Sequence, residues 1–186
     1  MFDRAEIIDG NFEAMVKSLA QDHSSVDGAS LALSPETLVD VFDTQLMSRH
    51  LDFMARRSKG KTFYSIGSAG HEGMAALALA TRPTDMAFLH YRDAAFLIQR
   101  MKQVPGETPL YNMALSFAAA AADPVSGGRH KVLGGLRVNV PPQTSTIASH
   151  LPKAVGAAHS IGLAAKVKIP NPELPPDSVI IASFGD

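Results

Sequence analysis

The 186-residue sequence contains no cysteine, which excludes disulfides and thiolate metal sites and makes a reducing, cytoplasmic setting the simplest expectation. Its net charge is only -1 at pH 7, so no global charge attracts nucleic acid or an anionic membrane. No apolar run approaches the roughly 20 residues that cross a bilayer. The first ten residues mix acidic and apolar side chains and are not expected to be a signal peptide. We therefore expect neither nucleic-acid nor membrane partners.

What the sequence does contain is enough apolar material, 46% of its residues, for the packed core of one domain. Residues 1–33 are expected to form an extension with a short helix broken at Gly10. The first firm helix signal is Ser34 as N-cap, followed by proline and by Glu36 in the first turn. The apolar residues expected on one face of this helix are Leu38, Phe42, Leu46 and Phe53.

Helix and strand patterns alternate through residues 34–186. Helical patterns cover four further stretches, at 70–83, 94–103, 110–121 and within 145–168. Apolar runs at 86–89 and 179–184 predict strands, and the second is typical of a parallel strand covered on both faces. This alternation predicts an α/β domain with a parallel sheet flanked by helices. Ligands in such domains lie beyond the carboxyl ends of the strands.

The first predicted strand end carries the polar sequence "HYRD" at residues 90–93. Arg92 offers a planar set of donors suited to phosphate, and Tyr91 adds a hydroxyl. The helix that follows can point its N-terminal amides at an anion. Taken alone, an ordinary surface ion pair between Arg92 and Asp93 is the simpler interpretation.

The second predicted strand ends in Gly185 and Asp186. A carboxylate in that position is suited to Mg²⁺, which takes one or two carboxylates together with phosphate oxygens. A helix N-cap is the simpler interpretation of Asp186 alone. The histidines His71, His90 and His150 flank the same predicted loops, but they form no two-histidine helical motif, so the spacing does not predict zinc.

Five stretches in order resemble the thiamine-diphosphate-dependent component of 2-oxo acid dehydrogenase complexes, either its alpha subunit or the alpha half of a fused alpha–beta chain. They are "YSIGSAGHEG", "LHYRD", "SGGRH", "STIASHLPKAVGAAHS" and "VIIASFGD", and the resemblance runs from about Leu38 to Asp186. It implies part of a thiamine-diphosphate-binding fold, truncated in the Gly-Asp motif, with thiamine diphosphate and Mg²⁺ as cofactors.

The resemblance also implies roles for individual residues. Tyr91 and Arg92 correspond to the pair that grips the cofactor's diphosphate. Asp186 corresponds to the Mg²⁺ ligand that follows the first glycine, Gly185, of a Gly-Asp-Gly signature. The remaining counterparts are Ser145 and Ile147 at the aminopyrimidine, Arg129 in a Gly-Arg turn, and Tyr64 and Ser68 at the substrate entrance. No catalytic residue is assigned.

The activity implied is oxidative decarboxylation of a 2-oxo acid with acyl transfer to a lipoyl group. The implied partners are a beta subunit or beta half, a lipoyl-bearing acyltransferase and further copies in an oligomer. In the family, the second glycine, an Mg²⁺-binding asparagine and the active-site histidine loop follow the position of Asp186. The chain is therefore expected to be an N-terminal fragment, inactive by itself.

Two departures and two alternatives accompany this resemblance. His150 stands where some members use glutamine near a potassium ion, and "GHEG" at residues 70–73 replaces the commoner Gly-Gln-Glu-Ala. Another thiamine-dependent enzyme, transketolase-like or acetoin-cleaving, is one alternative function. A non-catalytic module that dimerises through its small-residue helix is the other.

Overall fold

The computed structural model describes residues 4–19, 32–58, 60–63 and 67–185. The predictions for Tyr64 and Asp186 lie outside these residues. The chain divides into two compact units, Met1–Asp40 and Val41–Asp186. No helix within the described residues combines the length and the apolar character that a bilayer span requires.

The first unit contains helix α1 (Arg4–Leu19) and the start of helix α2 (Pro35–Arg57). The expected break at Gly10 is wrong, because α1 continues through that residue. The predicted start of α2 is confirmed: the Thr37 amide donates to Ser34 Oγ at 3.2 Å, as an N-cap serine does.

The part of α2 in the second unit buries a partly polar face. The buried residues of this helix are Thr44, Ser48, Leu51, Asp52, Phe53 and Ala55. Phe53 is buried as predicted, whereas Phe42 is 53% exposed, so the predicted apolar face is only partly correct. Part of the polar face is stabilised by hydrogen bonds, such as the bond from Thr44 Oγ1 to Gln99 Oε1 at 2.5 Å.

The remaining helices of the second unit are α3 (Met74–Ala80), α4 (Ala94–Lys102), α5 (Pro109–Phe117) and α6 (Leu151–Lys166). Helix α4 is buried from Ala94 to Met101, and this buried stretch includes the polar side chains of Gln99 and Arg100. It lies at the centre of the core, whose larger members include Leu51, Leu89, Phe96, Ile98, Met113 and Leu133.

Two small sheets complete the unit. Strand β1 (Ala87–Phe88) pairs in parallel with β4 (Ile181–Ala182), with Ala87 opposite Ile181. Strands β2 (Leu133–Gly135) and β3 (Val140–Gln143) pair antiparallel. A 3-10 turn, Leu136–Val138, joins β2 to β3. The second unit is therefore a mixed domain of helices and small sheets, one of which is a parallel pair.

The predicted burial of the second strand on both faces is wrong. Of the two residues of β4, Ile181 is half-buried and Ala182 is exposed, and within the described residues the strand pairs with β1 alone. Val179 is 53% exposed and Phe184 is 68% exposed, and the strand itself is only two residues long. Burial among the residues that the structure describes therefore does not explain the apolar character of this run.

Candidate functional site

The parallel pairing of β1 and β4 brings their carboxyl ends to one edge. The His90 amide donates to Ser183 Oγ at 2.8 Å, which joins the residues that follow the two strands. A Cβ atom on Gly185 would lie 3.3 Å from Cε1 and Nε2 of His90, so glycine permits this close approach. We call residues 90–93 and 183–185 the strand-end site.

Asp93 is the buried centre of the strand-end site. Its Oδ2 atom accepts a hydrogen bond from the His90 amide at 3.0 Å and a second from the Ser183 hydroxyl. Its Oδ1 atom lies 2.7 Å from Nδ1 of His71. Asp93 is thus fully buried, with two donors at Oδ2 and the His71 ring at Oδ1, and the surface ion pair with Arg92 considered from the sequence is wrong.

Arg92 is half-buried and faces a different set of neighbours. Its Nη1 atom donates to the Gly67 carbonyl at 2.6 Å, and its guanidinium carbon lies 5.2 Å from the centre of the Tyr91 ring. A guanidinium has five N–H donors, of which this bond uses one. The contact with Gly67 fixes the side chain, and the stacking on Tyr91 keeps the two predicted diphosphate ligands together.

Three histidines surround this edge. The His90 ring centre lies 3.9 Å from that of Tyr91 and 5.1 Å from that of His71. Burial lowers the pKa of His90, the charges of His71, Arg92 and His150 lower it further, and Asp93 opposes them. The buried ring of His90 therefore favours its neutral form.

His150 connects the loop before α6 to the strand-end site. Its Nε2 atom donates to the Ser183 carbonyl at 2.6 Å. Ser145 is half-buried in this loop, and Ile147 is 76% exposed. The structure thus brings Tyr91, Arg92 and Gly185 to one edge and places Ser145 and Ile147 in the loop that His150 attaches to it.

The other predicted positions have local roles in the structure. The Ser68 amide donates to Oδ2 of Asp52 at 2.5 Å, and Ser68 is buried. Arg129 is exposed in a turn closed by Ser126, whose Oγ accepts the Arg129 amide at 3.0 Å. Neither contact identifies a substrate or a cofactor.

A buried group of charges extends from Arg92 into the domain. Burial lowers the pKa of Lys131 to about 8, the charge of Arg92 adds to this, and Asp52 opposes it. Burial also raises the pKa of Asp52, against the Ser68 amide and the charges of Lys131, Arg56 and Arg49. No motif in the sequence indicates this group, because Asp52 and Lys131 lie far apart along the chain and interact only in the folded domain.

Sequence reasoning also missed the contact between His71 and Asp93. The only signal was a histidine in a glycine-rich segment and an aspartate just before α4, and neither predicts its partner. Comparison of the sequence with models of known protein families finds no match. The assignment of function therefore depends on the geometry of the strand-end site and on the resemblance of the five motifs.

Proposed function

We propose that this chain is the thiamine-diphosphate-binding part of the alpha component of a 2-oxo acid dehydrogenase, which acts in oxidative decarboxylation with acyl transfer to a lipoyl group. The single observation that supports it best is the parallel pairing of Ala87 with Ile181 and of Phe88 with Ala182. This register puts the Tyr91–Arg92 pair and Gly185 at the same edge. In this proposal β1 and β4 belong to a larger parallel sheet flanked by helices.

The residues present fit the diphosphate of the cofactor. Arg92 has four N–H donors beyond its bond to Gly67, and Tyr91 contributes a hydroxyl. Gly185 lets the His90 ring approach the backbone at this edge, because a Cβ atom there would lie 3.3 Å from Cε1 and Nε2 of His90. Asp186 is the proposed Mg²⁺ ligand, and Ser145 and Ile147 are the proposed contacts of the aminopyrimidine. When bound, the thiazolium ring supplies the carbon that attacks the substrate and then accepts its electrons.

The test is a titration of the chain with thiamine diphosphate in the presence of Mg²⁺. Binding is expected to be weak, because the resemblance assigns further ligands to other parts of the enzyme. Arg92→Ala should lower the affinity roughly 10- to 150-fold, the equivalent of about 1.5–3 kcal/mol for hydrogen bonds to a charged group.

The matched control is Arg57→Ala, which removes an exposed guanidinium from the end of α2. Arg57→Ala should leave the affinity for the cofactor unchanged. If Arg92 acted only through the net charge of the protein, both variants would lose affinity equally. An Arg92→Ala protein that binds the cofactor as the unchanged chain does excludes Arg92 from the site. Absence of saturable binding at millimolar cofactor would overturn the proposal for this chain.

One observation favours the non-catalytic alternative, a module that dimerises through α6. Val155 is 70% exposed and Leu163 is 47% exposed on this helix, beside small residues such as Gly156 and Gly162. Light scattering after size exclusion, run beside the cofactor titration, separates the two functions. A dimer that binds no cofactor supports the module, and cofactor binding that depends on Arg92 supports the enzyme.

A further inference from the structure

A group of potential metal ligands lies at the inner side of the strand-end site. His71, His90 and Asp93 each offer one ligand atom, and these atoms all lie within 4.8 Å of one another. His71 comes from the turn before α3, and the other two follow β1. The cluster therefore has no sequence motif, and helical spacing of histidines could not reveal it.

The carboxylate of this cluster is fixed in place before any ion binds. The His90 amide and the Ser183 hydroxyl both hold Oδ2 of Asp93, which leaves Oδ1 directed at His71 Nδ1, 2.7 Å away. Hydrogen bonds of this kind orient the ligating carboxylates of metal sites. Acidic clusters on a surface are solvated by water, but Asp93 is 0% exposed and His90 only 5%.

The donor set determines the class of ion. Two imidazole nitrogens and one carboxylate oxygen suit zinc, cobalt, nickel or ferrous iron, whereas Mg²⁺ and Ca²⁺ prefer oxygen ligands alone. The side chain of His71 is 24% exposed, so an ion here would keep a position open to water or to a ligand. From this geometry we infer that His71, His90 and Asp93 bind one divalent transition-metal ion, separate from the Mg²⁺ assigned to Asp186.

Ion binding requires a small movement of His71. The planes of the His71 and His90 rings differ by 23°, so they are nearly parallel. An ion lies close to the plane of each imidazole that binds it, and the more exposed ring, His71, can turn about its soft terminal torsion. A shared proton, rather than a metal ion, is the other explanation of the close contact between His71 and Asp93. The titration described next distinguishes the ion from the proton.

The experiment is a titration of the metal-free chain with Co²⁺ alone, followed by the visible absorption of the bound ion. One equivalent should bind, with an affinity that excess Mg²⁺ does not change. His71→Asn should weaken binding at least tenfold, since even the loss of a residue that only orients a ligand costs about 10- to 100-fold. His159→Asn is the matched control, because that histidine is exposed on α6, and it should bind Co²⁺ as the unchanged chain does.

Three results would overturn the inference: no saturable binding of one equivalent, equal loss of affinity in the two variants, or displacement of Co²⁺ by Mg²⁺. Circular dichroism checks that His71→Asn is folded, and His71→Gln serves in its place if it is not. No thiamine diphosphate is added, so failure here leaves the proposed function untouched. Equally, a failed cofactor titration does not affect the Co²⁺ result.

Discussion

Burial destabilises the charged form of individual side chains in this molecule, and their neighbours compensate for this to different degrees. Asp93 is fully buried, but its Oδ2 atom accepts hydrogen bonds from the His90 amide and the Ser183 hydroxyl, which compensate its charge. Lys131 is only 3% exposed, and burial lowers its pKa to about 8 despite the opposing charge of Asp52. Incomplete compensation of this kind makes the stability of the fold depend on pH.

The pKa of Lys131 predicts that the domain gains stability at alkaline pH. The folded chain releases this proton near pH 8, whereas the unfolded chain holds it to about pH 10.5. Between these values the unfolded state binds more protons, so the free energy of unfolding rises with pH and the gain is lost as pH falls through 8. The rise attributable to this group should be on the order of 3 kcal/mol.

Urea unfolding of the unchanged chain and of Lys131→Met, from about pH 8 to about pH 10.5, isolates this contribution. The unfolding free energy of the unchanged chain minus that of Lys131→Met should increase with pH. Titrating groups common to both proteins cancel in this difference. Lys153→Met, at an exposed position of α6, should show no such growth. Parallel pH curves for Lys131→Met and the unchanged chain would contradict the prediction.

At the scale of elements, local sequence signals identified the helices better than the sheets. Ser34 and the proline after it marked the start of α2, because capping is a local interaction. Strands β2 and β3 carry no local strand signal, because their sequences, "LGG" and "VPPQ", contain the residues least suited to strands. Their pairing is decided by contacts between segments, which local propensity does not describe.

The strand-end site likewise combines residues that local sequence signals indicate with residues that only contacts between segments bring together. Tyr91, Arg92 and Gly185 could be placed at strand ends from the sequence, because two apolar runs end just before them. The partners of Asp93 could not, because His71 and Ser183 reach it from positions 22 and 90 residues away along the chain. Such contacts exist only once the strands are paired.

Two glycines in different elements should respond to alanine with opposite signs. A Cβ on Gly134 of β2 would lie 2.9 Å from the Cα atom of Pro142, so β2 and β3 would have to separate. Gly134→Ala should therefore lower the free energy of unfolding by about 1–3 kcal/mol. Gly156 of α6 has nothing within 4 Å of such an atom, and Gly156→Ala should raise it by about 0.5–1 kcal/mol.

Denaturant unfolding of the two alanine variants beside the unchanged chain measures both effects. Because each variant adds a single methyl group, the comparison separates steric conflict from the gain in helix propensity. A stabilised Gly134→Ala protein would show that the two strands do not approach as closely as described.

On the scale of the whole molecule, residues far apart in sequence hold β4 on the domain. Asp85, just before β1, is 3% exposed and accepts the Val179 amide at 3.1 Å across 94 residues of chain. It also accepts three N–H groups of Arg82, which in turn contacts Asp177 at 2.7 Å. Burial opposes the charge of Asp85, but hydrogen bonds from Arg82 and Val179 outweigh it and lower its pKa.

Asp85→Asn should therefore loosen β4 without unfolding the core. The amides of Ile181 and Ser183, which donate to Met86 and Phe88 at 2.9 and 3.1 Å, should exchange with solvent faster, because local opening becomes about 1–3 kcal/mol easier. Amides in the buried helix α4 should keep their protection.

The control is Asp177→Asn, because the Asp177 side chain is 73% exposed and its ion pair should contribute little. If both variants accelerate exchange equally, the buried carboxylate of Asp85 is not what attaches β4, and the common edge of β1 and β4 depends on strand pairing alone.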